Sequence, residues 1–159
     1  MWSNSRVVLK PGVNQIESAF DWAIDQKENT VTEFALKKTV TTDLETTLER
    51  FKMLLAAEGF GTLYSLDFSE IIRNKTELEL PRHVIGFGVC NPKLAFQALS
   101  LDASVAALLP CGAFVAETAT GAEAGFLDPF AALSLVGRPE LAALGQDARE
   151  RLERALKML

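Results

Sequence analysis

Twice in this chain a β-prone run stops at a side chain that can cap a helix, with proline in the next position. His83–Cys90 runs into Asn91-Pro92, and Glu123–Leu127 runs into Asp128-Pro129. Asn and Asp accept hydrogen bonds from the first free N–H groups of a helix, and proline suits the first helical position because its missing N–H would be unpaired there anyway. Each pair therefore fixes a strand-to-helix junction. The chain must fold as strands interleaved with helices, which excludes an all-helical bundle and an all-β sandwich.

The remaining elements fall around these two points. Val31–Val40 reads as a first strand with Phe34 and Leu36 on one face. Thr42 and Glu45 have capping-box spacing, and Leu44, Leu48, Phe51 and Leu55 form a helical stripe that Gly59 ends as a left-handed cap. Phe60–Leu66 reads as a second strand. Asp67 or Ser69 can cap a short helix through Ile71-Ile72, before a polar connection over Asn74–Leu80. In the third strand Ile85, Phe87 and Val89 face one way and Val84, Gly86, Gly88 and Cys90 the other. Two glycines on one face weaken a strand unless another group or a ligand approaches closely there.

Leu94, Ala95, Ala98 and Leu99 give the next helix its buried side. Val105–Leu109 reads as a short turn or strand, and Ala113–Glu117 and Glu123–Leu127 pair as a hairpin through a turn containing Gly121. After Phe130–Val136, a last helix from about Glu140 buries Leu141, Leu144, Ala148, Leu152 and Ala155. Its Glu150–Arg154 and Glu153–Lys157 pairs are spaced to interact, and Arg149–Lys157 reads as a solvated face. The order β-α-β-(α)-β-α-β-β-α-α predicts an α+β fold: a two-layer sandwich with a mainly antiparallel sheet of four to five strands and helices on one face.

Residues 1–30 read as an N-terminal helical arm with an amphipathic stripe over 13–26, appended to a domain over 31–159. With 159 residues, 48% of them hydrophobic, the chain can bury a core without disulfide or metal staples. A net charge of −5 gives no basic footprint for nucleic acid. No apolar run reaches the ~20 residues of a membrane span, and the start lacks a signal-peptide core. A soluble cytoplasmic protein is expected.

One histidine, His83, excludes a His-rich metal site within one chain, and no Gly-x-Ser-x-Gly elbow accompanies it. His83 reads as a surface or capped residue, Glu117 and Asp128 as edge charges. Gly59-Phe60-Gly61 and Gly86-Phe87-Gly88 are not phosphate loops. The chemistry-bearing residues are the two cysteines. Cys90 precedes a helix start, where the macrodipole lowers a thiol's pKa, and Cys111 follows Pro110 at a chain reversal. The alternative is that both are small buried hydrophobes. Lys93, on the first turn of the helix after Cys90, can assist anion binding.

Gly59-Phe60-Gly61, Cys90-Asn91-Pro92-Lys93, Leu108-Leu109-Pro110-Cys111 and Asp128-Pro129, in that order, resemble the DUF302 family over about residues 31–159. The resemblance implies a small two-layer α+β domain, often dimeric, whose biochemical role is not established. It also implies that Cys90, Asn91, Pro92, Pro110 and Cys111 mark a distinctive surface or cleft. On that basis the chain is expected to be a binding or sensing module and a homodimer. A small molecule or soft metal would sit near Cys90, Asn91, Pro92, Lys93, Pro110 and Cys111, with Gly86 and Gly88 alongside. The alternatives are a thiol redox enzyme, using Cys90 with Cys111 as resolving cysteine, and a purely structural or assembly domain. No catalytic residue or cofactor is assigned.

Overall fold

A computed structural model describes residues 34–159; the helical arm expected over 1–30 lies outside the described residues. Both strand-to-helix junctions form as expected. Asn91 Oδ1 accepts from the N–H groups of Lys93 and Leu94 at 3.1 and 3.2 Å, opening the helix Pro92–Leu101. Asp128 Oδ1 accepts from Phe130 and Ala131 at 2.9 and 3.4 Å, opening Pro129–Ser134.

Among the described residues, five strands and five α-helices follow in chain order. They are β1 (Ala35–Val40), α1 (Leu44–Ala57), β2 (Gly61–Asp67), α2 (Phe68–Thr76), β3 (Val84–Cys90) and α3 (Pro92–Leu101). After a 3-10 turn (Ala103–Leu108) come β4 (Cys111–Thr118), β5 (Gly121–Leu127), α4 (Pro129–Ser134) and α5 (Pro139–Met158). All strand pairings are antiparallel, in the order β1-β5-β4-β3-β2. The first two strands thus occupy opposite edges, and α1 carries the chain between them.

The sheet's inner face alternates as the sequence suggests. Phe87 and Val89 of β3, Ala113 and Val115 of β4, and Ala122, Ala124 and Phe126 of β5 pack under Leu44, Leu48, Phe51 and Leu55 of α1 and the α5 stripe through Leu152. The rings of Phe51 and Phe87 meet edge-to-face, 6.0 Å between centroids. A smaller cluster of Ala98, Val105, Leu133 and Leu141 joins α3, the 3-10 turn, α4 and α5. The two-layer α+β architecture is as expected, with five strands.

Several local details differ from the sequence reading. The first strand begins at Ala35, and Phe34 is exposed at the bend before it. The cap of α1 is Asp43, not Thr42: its carboxylate accepts from Thr46 N–H at 2.9 Å, and the Thr42 hydroxyl instead meets that of Thr47. A full negative charge is the stronger acceptor at a helix start. Gly59 ends α1 at φ 87°, with Phe60 N–H returning to the Leu55 carbonyl and Gly59 N–H to Ala56 in a Schellman arrangement. The α2 helix extends to Thr76, through part of the connection expected to be irregular. Arg154 does not pair with Glu150; it reaches across to Glu58, the residue that caps the end of α1, at 2.7 Å. Asp128 is no edge charge. It is buried and held by Arg149 at 3.0 Å, so the Arg149–Lys157 face is partly structural.

Candidate functional site at the end of the sheet

The four motifs that carry the family resemblance meet at one end of the sheet. Gly61 pairs with Cys90 across β2–β3, and Cys111 pairs with Val89 across β3–β4. The two cysteines therefore stand on adjacent strands, one residue out of register. A Cβ built on Gly59 would lie 2.9 Å from Asn91 Nδ2, so the Asn91 amide packs directly over that glycine. The Gly-Phe-Gly and Cys-Asn-Pro segments form one contact.

Behind this contact lies an apolar cavity of about 40 Å³ at the seam between the two core clusters. Phe60, Cys90 and Cys111 line its sheet side, while Ala98, Leu109 and Leu133 come from the helical side. Pro129 also lines it, so the Asp128-Pro129 junction contributes a wall. Both cysteines are free thiols and half-buried.

The Cys90 thiol is less acidic than its position before a helix suggests, and that of Cys111 is shifted the same way. Burial pushes the Cys90 thiol up. Burial, with the neighbouring Cys90 second, pushes Cys111 up to about 11. The expected lowering at the α3 start fails for a local reason. Burial alone accounts for the shift, and the N–H groups of Lys93 and Leu94 at the start of α3 are taken by Asn91 Oδ1.

The other residues singled out in the sequence take different places. Pro92 and Lys93 line a shallow groove with Glu58 and Arg151 on the far side of Asn91, and Lys93 is exposed. Gly86 and Gly88 do not line the cavity. The Phe68 ring fills the space above Gly86. Above Gly88, an added Cβ would meet the Tyr64 ring at 2.6 Å and Pro110 Cγ at 2.7 Å. The close approach anticipated over these glycines is thus made by side chains of the same chain. His83 Nε2 lies 2.7 Å from Asp67 Oδ2, at the cap of α2. Partial burial opposes ionisation of Asp67, yet the Glu70 N–H and His83 together hold its carboxyl below the ordinary range.

Sequence reasoning missed the helical wall of the cavity. Leu94, Ala95 and Ala98 are legible as the apolar stripe of α3, but the same stripe serves core and cavity, and spacing alone does not separate the two uses. Among the described residues no group of three or more His, Cys, Asp or Glu side chains is placed to hold a metal, and no helix is long and apolar enough to cross a membrane.

The antiparallel sheet under two long helices, with its seam cavity at one end, defines a small two-layer α+β domain. The chain belongs to the DUF302 family, described as a domain of unknown function, whose profile matches residues 36–159. It is similar to a crystal structure of an uncharacterized conserved DUF302 protein from Bacillus stearothermophilus, at 27% identity and a TM-score of 0.75. That similarity covers 79% of this chain and 98% of the other. Among curated proteins no sequence matches the chain.

Proposed function

We propose that this DUF302 chain is a binding or sensing module whose site is the cavity beside Cys90 and Cys111. One observation carries the reading: four separated motifs converge on a single apolar space whose lining residues include Cys90 and Cys111. A volume of about 40 Å³ has room for roughly three water-sized guests. It therefore selects a small apolar molecule or a soft ion over a drug-sized ligand. The raised thiol pKa values favour binding over thiolate chemistry, since a protonated thiol is a poor nucleophile.

Xenon NMR on the full chain tests this reading, with Ala98→Val narrowing the cavity. A saturable xenon shift in the wild type that disappears in Ala98→Val is expected. No shift, or an equal shift in both proteins, refutes it.

A homodimer in a reducing cytoplasm completes the proposal. The edge strand β2 exposes Leu63, Tyr64 and Leu66, a surface that edge strands ordinarily protect. Sedimentation gives a dimer mass for the wild type and a monomer mass for Leu63→Lys; an unchanged mass places the interface elsewhere.

A further inference from the structure

We infer that residues 91–110 form a lid over the cavity, latched by Arg138, and that a guest enters when this segment opens. The inference rests on the binding reading above and deepens it by giving that site its entry route.

Access is the first argument. None of the residues that line the cavity is exposed; each is buried or half-buried. A guest therefore reaches the space only when part of the wall moves. Leu94, Ala95, Ala98, Leu108 and Leu109 of that wall all belong to one excursion of the chain. It leaves the sheet after Cys90 and returns at Cys111 on the neighbouring strand, where Cys111 is the register partner of Val89. Both ends of the excursion thus sit at one place, and the ladder between β3 and β4 lies outside it.

Attachment is the second. The helix α3 buries only Ala98, and the 3-10 turn after it only Val105. The other walls are held more firmly. The short α4 buries Pro129, Ala132 and Leu133, α5 is buried along one side from Leu141 to Leu156, and the sheet side is tied by its ladders. Among the described residues a single hydrogen bond joins 91–110 to the rest of the chain: Arg138 Nη1 donates to the Leu101 carbonyl at 2.7 Å. The segment's side-chain bonds otherwise close within it, at the Asn91 cap, from Ser100 to Phe96 and between Ser104 and Asp102. A segment with few buried side chains and few bonds to its surroundings opens at a lower free energy than the whole domain unfolds.

Arg138 is placed to act as the latch. Leu101 is the last residue of α3, so its carbonyl has no partner further along the helix, and a guanidinium there also meets the negative end of the helix dipole. Arg138 itself stands immediately before α5, which is anchored in the core. The bond therefore runs from the weakly held wall to a firmly held one, and breaking it frees the end of α3 farthest from the Asn91 cap.

Native-state hydrogen exchange of the full chain, followed by NMR at fixed pH across low urea concentrations, tests the lid. Amides of residues 94–109 should exchange through an opening with little urea dependence, because it exposes little surface, while core amides of β3 and β4 follow the steep slope of global unfolding. Arg138→Met keeps an unbranched apolar stem and removes the donor. It should speed exchange of 94–109 at least about tenfold, the effect of losing a hydrogen bond from a charged group. Arg138→Lys, which keeps a donor, should fall between. Xenon saturation transfer should show faster passage between bound and free xenon in Arg138→Met than in the wild type. A global urea slope for 94–109 in the wild type overturns the lid even if neither variant folds well; unchanged exchange or unchanged xenon passage in Arg138→Met overturns the latch. A global slope with xenon still bound removes the lid and keeps the cavity, whereas a local opening without any xenon shift removes the cavity and keeps the moving segment.

Discussion

Asp128 performs two separable tasks, and substituting it tests whether the junction at the end of β5 is held as described. Its Oδ1 caps α4, and its Oδ2 takes Arg149 Nη1 at 3.0 Å. Losing an N-cap carboxylate costs about 1 kcal/mol. The ion pair contributes less than a buried pair would. The Arg149 side chain is 32% exposed and keeps Glu153 at 2.9 Å, so it is not stranded. About 0.5–1 kcal/mol is appropriate for such a partly screened pair. Asp128→Ala should therefore destabilise by about 2 kcal/mol, or roughly 6 °C in Tm for a domain of this size.

Asp128→Asn retains an acceptor for the cap and loses only the charge, so about 1 kcal/mol is expected. Urea unfolding followed by circular dichroism measures both, and a cycle with Arg149→Ala isolates a coupling of about 0.5–1 kcal/mol. Because α4 walls the cavity through Pro129 and Leu133, the alanine variant should also weaken xenon binding. The reasoning fails if Asp128→Ala is within about 0.5 kcal/mol of wild type. It fails equally if the asparagine variant is as damaging as the alanine one.

Three further outcomes follow from the packing and the charges. Gly145→Ala should destabilise by about 1 kcal/mol: the added methyl would lie 2.6 Å from the Pro129 carbonyl oxygen and 2.9 Å from Phe130 Cα, and backbone clash outweighs the ~1 kcal/mol of helix propensity gained. A denaturation midpoint equal to or above wild type would contradict it. Burial, with Cys90 second, pushes the Cys111 thiol up to about 11, so alkylation of Cys111 in a Cys90→Ala background, which keeps the burial and removes only the smaller cause, should still be slow in the ordinary thiol range. Since the folded thiol titrates above its unfolded value, stability should fall as pH rises from the ordinary thiol range toward that point; rapid labelling at pH ~8, the ordinary thiol range, would refute the burial. In acid the sign reverses. The Thr46 N–H at Asp43, Arg154 at Glu58 and Arg149 at Glu153 hold these carboxyls below their ordinary values, so their stabilisation is present above the unfolded pKa and lost as pH falls through the folded one. Urea midpoints that do not decline below pH ~4 would contradict this linkage.

What was legible in the sequence was local. Asn91-Pro92, Asp128-Pro129 and Gly59 each settle the backbone within a few residues, so the helix boundaries they govern could be read directly. The Thr42–Asp43 choice shows the limit even there, because two neighbouring side chains compete for the same N–H groups and only their geometry decides. Contacts distant in sequence were not legible. Arg154 finds Glu58, 96 residues away, in preference to the helical neighbour that spacing offered. The pairing of β1 with β5, which closes the far edge of the sheet, leaves no mark in either strand's alternation. For the site, the motifs named the two thiols and Asn91 but not the wall opposite, which α3, α4 and α5 build together.

That wall bears on why the space exists. Ala95, Ala98, Ala132 and Ala148 all line it, and an unfilled volume of this size costs about 1 kcal/mol at ~24 cal/mol per Å³. Two extra methyl groups at any one of these positions would recover part of that. Ala98→Val should therefore leave stability equal or slightly improved, β-branching in a helix offsetting some of the gain, while removing xenon binding. A protein held only to stability has no reason to keep four small side chains around one hole beside two thiols. If Ala98→Val instead destabilises strongly, the surrounding helices have no slack and the space is a packing remnant, not a site.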